Sequence, residues 1–191
     1  MNAEKYYRAM IRGGPDSWNI RDRHMAEALN RIRRFHGPKA KAIIWEHNTH
    51  IGDARATDMA DDGMVNVGQL VREQNGSESV FAVGFGTHRD TVIAADAWGH
   101  PMEVMEVPSA VAGSWEDLMH RAGDNNKILV FKGMAGEEFH RPIGHRAIGV
   151  VYHPEYERGN YVPSIMAERY DAFVFVDESQ ALHPLELAAL V

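Results

Sequence analysis

A short segment of this 191-residue chain brings together the side-chain types that proton-transfer chemistry requires. It contains two histidines, two carboxylates and one arginine: His47, His50, Glu46, Asp53 and Arg55. Two imidazoles beside carboxylates can activate a water molecule, one as general base and the other as acid or polarising donor. We therefore take His47 and His50 as candidate catalytic residues, with the other three as substrate-binding or supporting groups.

The same segment has two other interpretations. Histidine and carboxylate side chains also bind zinc or manganese, so a metal-dependent hydrolase is an alternative. A lone His-x-x-His pair more often only satisfies backbone groups of a loop. The crowding of Glu46, Asp53 and Arg55 into the same few residues favours a functional site.

A further histidine and arginine, His88 and Arg89, follow the apolar run at residues 80–83. This position predicts the end of a strand, and adjacent strand ends would place His88 near His47. We therefore add His88 to the supporting residues. The nearby glycines lack the spacing and the Lys-Ser/Thr pair of a nucleotide-binding loop. The sequence also lacks Gly-x-Ser-x-Gly, so a serine hydrolase of the nucleophile-elbow type has no support.

Helical elements precede these residues along the chain. Apolar periodicity predicts helices at residues 2–12 and 18–36, which together form a hairpin. Arg21 and His24 share one face of the second helix and could point into the site. An ordinary helix start with an ion pair explains them equally well.

From residue 37 onward, strands and short helices alternate. Further helices are predicted at residues 67–74 and 115–121, the latter with a capping-box-like start. The apolar run after Gly37-Pro38 predicts a buried parallel strand, and the two histidines follow its carboxyl end. Strands are predicted at residues 40–46, 79–86, 91–95, 102–107, 127–131, 148–152 and 172–176. We expect an α/β fold with a mostly parallel sheet and flanking helices, in one domain: the N-terminal helical hairpin (residues 1–36) packs on an α/β core (residues 37–191).

Composition narrows the class of protein. With 45% apolar residues the chain is long enough to bury a core, and without cysteine it has no disulfide or thiolate chemistry. No apolar run is long enough to cross a bilayer and the N-terminus does not resemble a secretory signal, so we expect a cytoplasmic protein without a membrane partner. The net charge is −7, but residues 1–41 hold ten of the 20 basic residues and only four acidic ones. We interpret this basic segment as facing the acidic body, with no nucleic-acid partner.

The sequence resembles the erythromycin esterase family, particularly bacterial members described as succinoglycan biosynthesis or erythromycin-esterase-like proteins. The resemblance extends in order over most of the chain, and together its segments are more specific than any single motif. The matching segments are residues 2–10, 17–29, 45–59, 83–95, 145–163 and 169–185.

The resemblance implies an antibiotic-response type of enzyme, a carboxylic ester hydrolase whose best-known substrate is the macrolactone of erythromycin. It implies catalysis by histidine-activated water, without a cofactor or an obligatory metal. His47 and His50 match the family's His-Asn-x-His segment, and Glu46, Asp53, Arg55 and His88 carry over as supporting residues. It also implies an α/β core sheet with a helical insertion, of which residues 2–36 form the last part.

One departure concerns length. Family members are about twice as long, and their N-terminal half carries a Gly-Glu-x-x-His motif with the principal catalytic histidine and glutamate. Two hypotheses follow. In the first, the chain contributes to a hydrolase of a small-molecule ester or lactone, completed by an N-terminal half or by a homo-oligomer. In the second, it is a truncated, non-catalytic remnant that serves as a binding or oligomerisation module.

Overall fold

A computed structural model describes residues 3–132 and 136–183. Six helices, six strands and several short 3₁₀ segments make up this part of the chain. The helices are α1 (Ala3–Arg12), α2 (Asp16–His36), α3 (Asn48–Ile51), α4 (Val67–Asn75), α5 (Trp115–Arg121) and α6 (Met166–Arg169). The strands are β1 (Val83–Ala94), β2 (Glu103–Val107), β3 (Lys127–Val130), β4 (Pro142–Arg146), β5 (Tyr161–Ile165) and β6 (Ala172–Ser179).

The predicted N-terminal helical hairpin is present. Gly13 and Gly14 join α1 to α2 with positive φ angles of 75° and 76°, which glycine adopts without strain. The α2 helix ends at His36 and is capped by Gly37, whose N–H donates to the carbonyl of Arg33 at 3.0 Å. Because α2 contacts α4, the hairpin lies against the rest of the fold and carries its side chains to the segment that follows.

The larger sheet has the strand order β2-β1-β6-β3. Only β1 and β6 are parallel, with Val83 opposite Ala172, whereas β2 and β3 each pair antiparallel with their neighbour. The prediction of a mostly parallel sheet is therefore wrong, although the α/β class holds. The reason is the short link at residues 95–102, which reverses the chain direction between β1 and β2, while a parallel pair needs a longer crossover.

The predicted strand at residues 40–46 is wrong. This segment has no regular hydrogen bonding, and Ile43 and Trp45 are 95% and 86% exposed. A buried strand needs neighbours on its edges. Instead, the side-chain amide of Asn48 forms hydrogen bonds with the backbone of Phe85 in β1. Asn48 Nδ2 donates to the Phe85 carbonyl at 2.5 Å, and the Phe85 N–H donates to Asn48 Oδ1 at 3.1 Å.

Two predicted strands, residues 79–86 and 91–95, merge into the single strand β1. His88 and Arg89 consequently lie inside a strand rather than at its end. The predicted strand at residues 148–152 is also absent, since its only strand-like contact is one bridge between Val151 and Ala95. The preceding residues pair instead: β4 and β5 form a separate two-stranded antiparallel sheet.

The main core lies between the inner face of the four-stranded sheet and α5 with its neighbours. It contains large buried side chains: Trp115, Met119, Phe131, Met166, Tyr170, Phe173 and Phe175. Gly84 and Gly86 of β1 let these rings lie directly against the strand. A Cβ atom at Gly84 would stand 2.7 Å from Tyr170, and one at Gly86 would stand 2.7 Å from Phe173. The aromatic core therefore requires glycine at both positions.

Within the described ranges, every helix is too short or too polar to cross a membrane.

Candidate active site

A hydrogen bond between two side chains joins His50 to Asp22. His50 lies in α3, and Asp22 projects from α2 with no exposed surface. Asp22 Oδ2 accepts from His50 Nδ1 at 2.8 Å and from the Val67 N–H at 3.1 Å. Because the carboxylate can only accept, the proton of neutral His50 is assigned to Nδ1, which leaves the lone pair on Nε2.

Two further side chains of α2 orient the same imidazole. The Trp18 ring stacks on His50 with centroids 4.5 Å apart and planes 2° apart, and its indole N–H donates to the carbonyl of Val65 at 2.9 Å. Arg21 places Nη2 3.4 Å from His50 Nε2. Trp18, Arg21 and Asp22 have the three- and four-residue spacing of one helix face, so α2 presents them together. These contacts together set the plane and the direction of the His50 ring and the nitrogen that carries its proton.

Glu46 adds a carboxyl group to this cluster. It is partly buried, and its Oε2 atom makes no hydrogen bond to the described residues. Loss of hydration raises the pKa of Glu46 above its ordinary value, although the nearby His50 opposes the shift. This carboxyl group holds a proton at higher pH than a solvated glutamate does.

His47 is engaged differently from His50. As the residue that caps α3, it accepts at Nδ1 from the Thr49 N–H at 3.3 Å and from the Thr49 hydroxyl at 2.9 Å. Its Nε2 donates to the carbonyl of Ile148 at 2.7 Å. The residue as a whole is exposed, but its neighbours remove water from the ring, and this desolvation lowers the pKa of His47. Both ring nitrogens therefore have hydrogen-bond partners within the chain.

Asp53 and Arg55 lie in a separate ion-pair cluster. Arg55 donates to the Asp53 carboxylate from Nε at 2.9 Å and from Nη2 at 2.7 Å. Arg72 lies 3.4 Å from the same carboxylate and 2.8 Å from Asp171. Burial alone would raise the pKa of Asp53, but the hydrogen bonds from Arg55 lower it. These groups link α4 to the start of β6, and none of their described hydrogen bonds reaches His47 or His50.

His88 belongs to a third group, on the inner face of β1. It is buried and stacks on His120 with centroids 3.9 Å apart, and His120 Nδ1 lies 2.7 Å from Asp177 Oδ1. Burial, together with the charge of His120, lowers the pKa of His88. The structure thus groups His88 with His120 and Asp177, and its described contacts do not include His47.

Sequence reasoning missed Trp18 and Asp22 and left Arg21 undecided. Their signal was present in the helix itself, because the spacing puts all three on one face. What the sequence did not show was that α3 packs against that face, 28 residues further on. Across residues 3–132 and 136–183, no three His, Asp or Glu side chains converge in the way metal ligation requires.

A broad groove of about 1320 Å³ opens beside Glu46 and His47. Its walls are residues 40–48, the outer face of β1 and the segment around Ile148 and Val150. Aromatic side chains lie exposed along it, including Trp45 and Phe85. The polar cluster around His50 therefore lies next to a large, mostly apolar surface.

The erythromycin esterase family model matches residues 1–179. The chain belongs to the erythromycin esterase family. The resemblance found in the sequence is thereby confirmed, and the residues of the His-Asn-x-His segment fall within the matched range.

Solved structures show the same fold. A crystal structure of a succinoglycan biosynthesis protein superposes with a TM-score of 0.72 at 15% identity, over 87% of this chain and 40% of that chain. A crystal structure of a Bacillus cereus protein gives 0.71 at 15% identity, over 86% and 39%. A mutant of the erythromycin esterase EreC in its open conformation gives 0.63 at 19% identity, over 92% and 40%. The chain thus spans about two fifths of the length of these family structures.

Proposed function

We propose that the chain contributes to hydrolysis of a carboxylic ester or lactone, with His50 as the general base that activates water. The observation that supports this most directly is the hydrogen bond between His50 Nδ1 and the buried Asp22 carboxylate. It leaves Nε2 as the basic nitrogen and stabilises the imidazolium that forms when Nε2 takes a proton. Membership of the erythromycin esterase family favours a hydrolase.

The proposed reaction proceeds through a tetrahedral intermediate. A water molecule attacks the acyl carbon while one of its protons moves to His50 Nε2, and the carbonyl π electrons pass to oxygen. The bond between the acyl carbon and the alcohol oxygen then breaks, and the departing alkoxide takes the proton of Glu46. Transfer of the proton from His50 to Glu46 restores both groups. The raised pKa of Glu46 suits it to the acid step, because the group is protonated more often than a solvated glutamate.

The other predicted residues support this reaction from a distance. His47 fixes the start of α3, which carries His50, through its bonds to Thr49 and Ile148. Asp53 and Arg55 hold the segment that follows α3. His88 stiffens the inner face of β1 through its stack on His120. None of these roles involves a cofactor or a metal ion.

We also propose that turnover needs a part of the family fold beyond the part that this chain spans. The chain spans about 40% of the solved family structures, and its groove leaves aromatic side chains such as Trp45 and Phe85 exposed. In this proposal an N-terminal part of the family fold, with its Gly-Glu-x-x-His segment, packs on this surface and completes the pocket. The substrate class we propose is a small-molecule ester or a macrolactone such as erythromycin.

Hydrolysis of p-nitrophenyl esters and of erythromycin tests the proposal, with the chain alone and co-expressed with the N-terminal part of a family member. We expect His50→Ala to lower kcat/KM by about 10²- to 10⁴-fold, the usual contribution of a positioned acid–base group. His100→Ala is the matched control, because His100 forms a similar 2.8 Å pair with Asp96 on the exposed surface.

Activity that appears only on co-expression and falls with His50→Ala supports both parts of the proposal. Full activity of His50→Ala would show that another group is the base. Absence of turnover under both conditions would overturn the hydrolase assignment in favour of a non-catalytic binding or oligomerisation module.

A further inference from the structure

Arg21 holds a cation beside the basic nitrogen of His50. Its Nη2 atom lies 3.4 Å from His50 Nε2. Its Cζ atom lies 4.6 Å from the centre of the Trp18 ring, so the guanidinium is held against an aromatic face as well as beside the imidazole. Trp18 therefore limits the positions that Arg21 can take, at the same time as it stacks on His50.

The guanidinium is poorly paired for a group in this position. Its Nε atom is buried without a hydrogen-bond partner among the described residues, and it lies 3.8 Å from Asp22 Oδ1, too far for a hydrogen bond. Asp22 uses its other oxygen for His50 and Val67. In an ordinary ion pair at the start of a helix, the arginine Nε would donate a hydrogen bond to the carboxylate. Here the charge is near Asp22 and Nη2 reaches His50 Nε2 at 3.4 Å, but the Nε–H of Arg21 is left for another acceptor.

A cation next to a general base has a specific consequence. In the resting site the guanidinium lies 3.4 Å from His50 Nε2, the nitrogen that is to accept the proton. The positive charge of Arg21 has a stabilising effect once a negative charge develops within hydrogen-bond distance of it. Ester hydrolysis creates such a charge on the acyl oxygen, at the moment when His50 takes the proton from water.

We propose that Arg21 is a catalytic residue that donates hydrogen bonds to the acyl oxygen of the substrate and stabilises the oxyanion of the tetrahedral intermediate. This inference rests on the proposed hydrolase function. The new bond joins the water oxygen to the acyl carbon, the carbonyl π pair moves to the acyl oxygen, and the water proton goes to His50 Nε2. Arg21 keeps its own protons throughout, and the oxyanion is their acceptor.

The same geometry makes the cluster a site for small tetrahedral anions. A phosphonate monoester carries in its ground state the charge and shape of the intermediate, so it probes Arg21 without any turnover. The chain offers a matched control on the same helix: Arg23 is exposed, two residues from Arg21. Both positions can be changed to methionine, which keeps an unbranched side chain and removes the charge.

The binding arm uses methylphosphonate monoesters with the full chain, followed by the NMR signals of the His50 imidazole and by calorimetry. We expect Arg21→Met to weaken binding at least tenfold and Arg23→Met to leave it within twofold. Arg21→Lys should recover part of the affinity, since an ammonium group keeps the charge but loses the planar pair of donors. Equal affinity of wild type and Arg21→Met, or an equal loss in Arg23→Met, overturns the proposal.

The kinetic arm separates this role from simple positioning. Removal of one oxyanion donor typically costs about 10²- to 10³-fold in kcat, so Arg21→Met should lose kcat with little change in KM. Added guanidinium ion should restore part of kcat in Arg21→Met and none in His50→Ala. A loss confined to KM contradicts the assignment. If the wild type turns over no ester but Arg21-dependent phosphonate binding persists, the hydrolase proposal fails while the anion site stands.

Discussion

Replacing Asp22 with asparagine tests the centre of the site. The amide keeps the size of the carboxylate but can present N–H groups to His50 Nδ1, which then becomes an acceptor. The imidazole proton moves to Nε2, where it faces the guanidinium of Arg21 at 3.4 Å. In this tautomer His50 has no lone pair directed at water, and the negative charge that stabilised its imidazolium is absent.

The expected loss follows from the two effects combined. A positioned base contributes about 10²- to 10⁴-fold, and each tenfold step corresponds to about 1.4 kcal/mol of barrier. Asp22→Asn should therefore raise the activation free energy by about 3–5.5 kcal/mol, with KM little changed. The assay is kcat/KM on a p-nitrophenyl ester, combined with ¹⁵N NMR of the His50 ring nitrogens to read the tautomer.

Asp96→Asn is the control, since Asp96 pairs with His100 on the surface at the same 2.8 Å distance. It should leave activity unchanged. The reasoning is refuted if Asp22→Asn retains wild-type turnover while NMR shows the proton on Nε2. If the proton stays on Nδ1 and the full loss is still seen, the tautomer part of the reasoning is refuted and the loss is due to the missing charge of Asp22.

Two further predictions concern stability. Burial lowers the pKa of His88, so as pH falls the unfolded chain takes up a proton before the folded chain does, and the free energy of unfolding should fall below about pH 6.5. In urea titrations between pH 5 and 8, His88→Gln should show a smaller fall than the wild type. Identical pH profiles of the two proteins would contradict this prediction. His145→Phe leaves the fully buried Glu116 without its 2.6 Å partner, which should cost about 3–5 kcal/mol in chemical denaturation. His153→Phe, at an exposed histidine beside a glutamate, should cost far less, and equal losses in the two variants would count against a buried-pair effect.

The helices of this chain are largely readable from its sequence. The hairpin glycines, the helical periodicity of residues 18–36 and the cap at Ser114 are local signals, and α1, α2, α4 and α5 follow them closely. The strand pairings are not local. The residues of 40–46 have the composition of a buried strand, but whether they form one depends on neighbours that the sequence of the segment does not specify.

The candidate site shows the same division. His47 and His50 lie three positions apart, so their closeness at the start of α3 could be predicted from their spacing. Asp22 is 28 positions earlier, and its contact with His50 depends on how α2 packs. The sequence also gave no indication that His47 would use both ring nitrogens for local anchoring, because that depends on Ile148, 101 positions away.

The Asn48 amide on β1 has a consequence for how this chain associates with others. By bonding to both the N–H and the C=O of Phe85, it imitates one residue of a neighbouring strand at an otherwise open strand edge. Such edges attract strands from other chains and so promote aggregation. A single side chain thus covers the backbone groups of Phe85, which would otherwise be open to pairing with a strand from another chain.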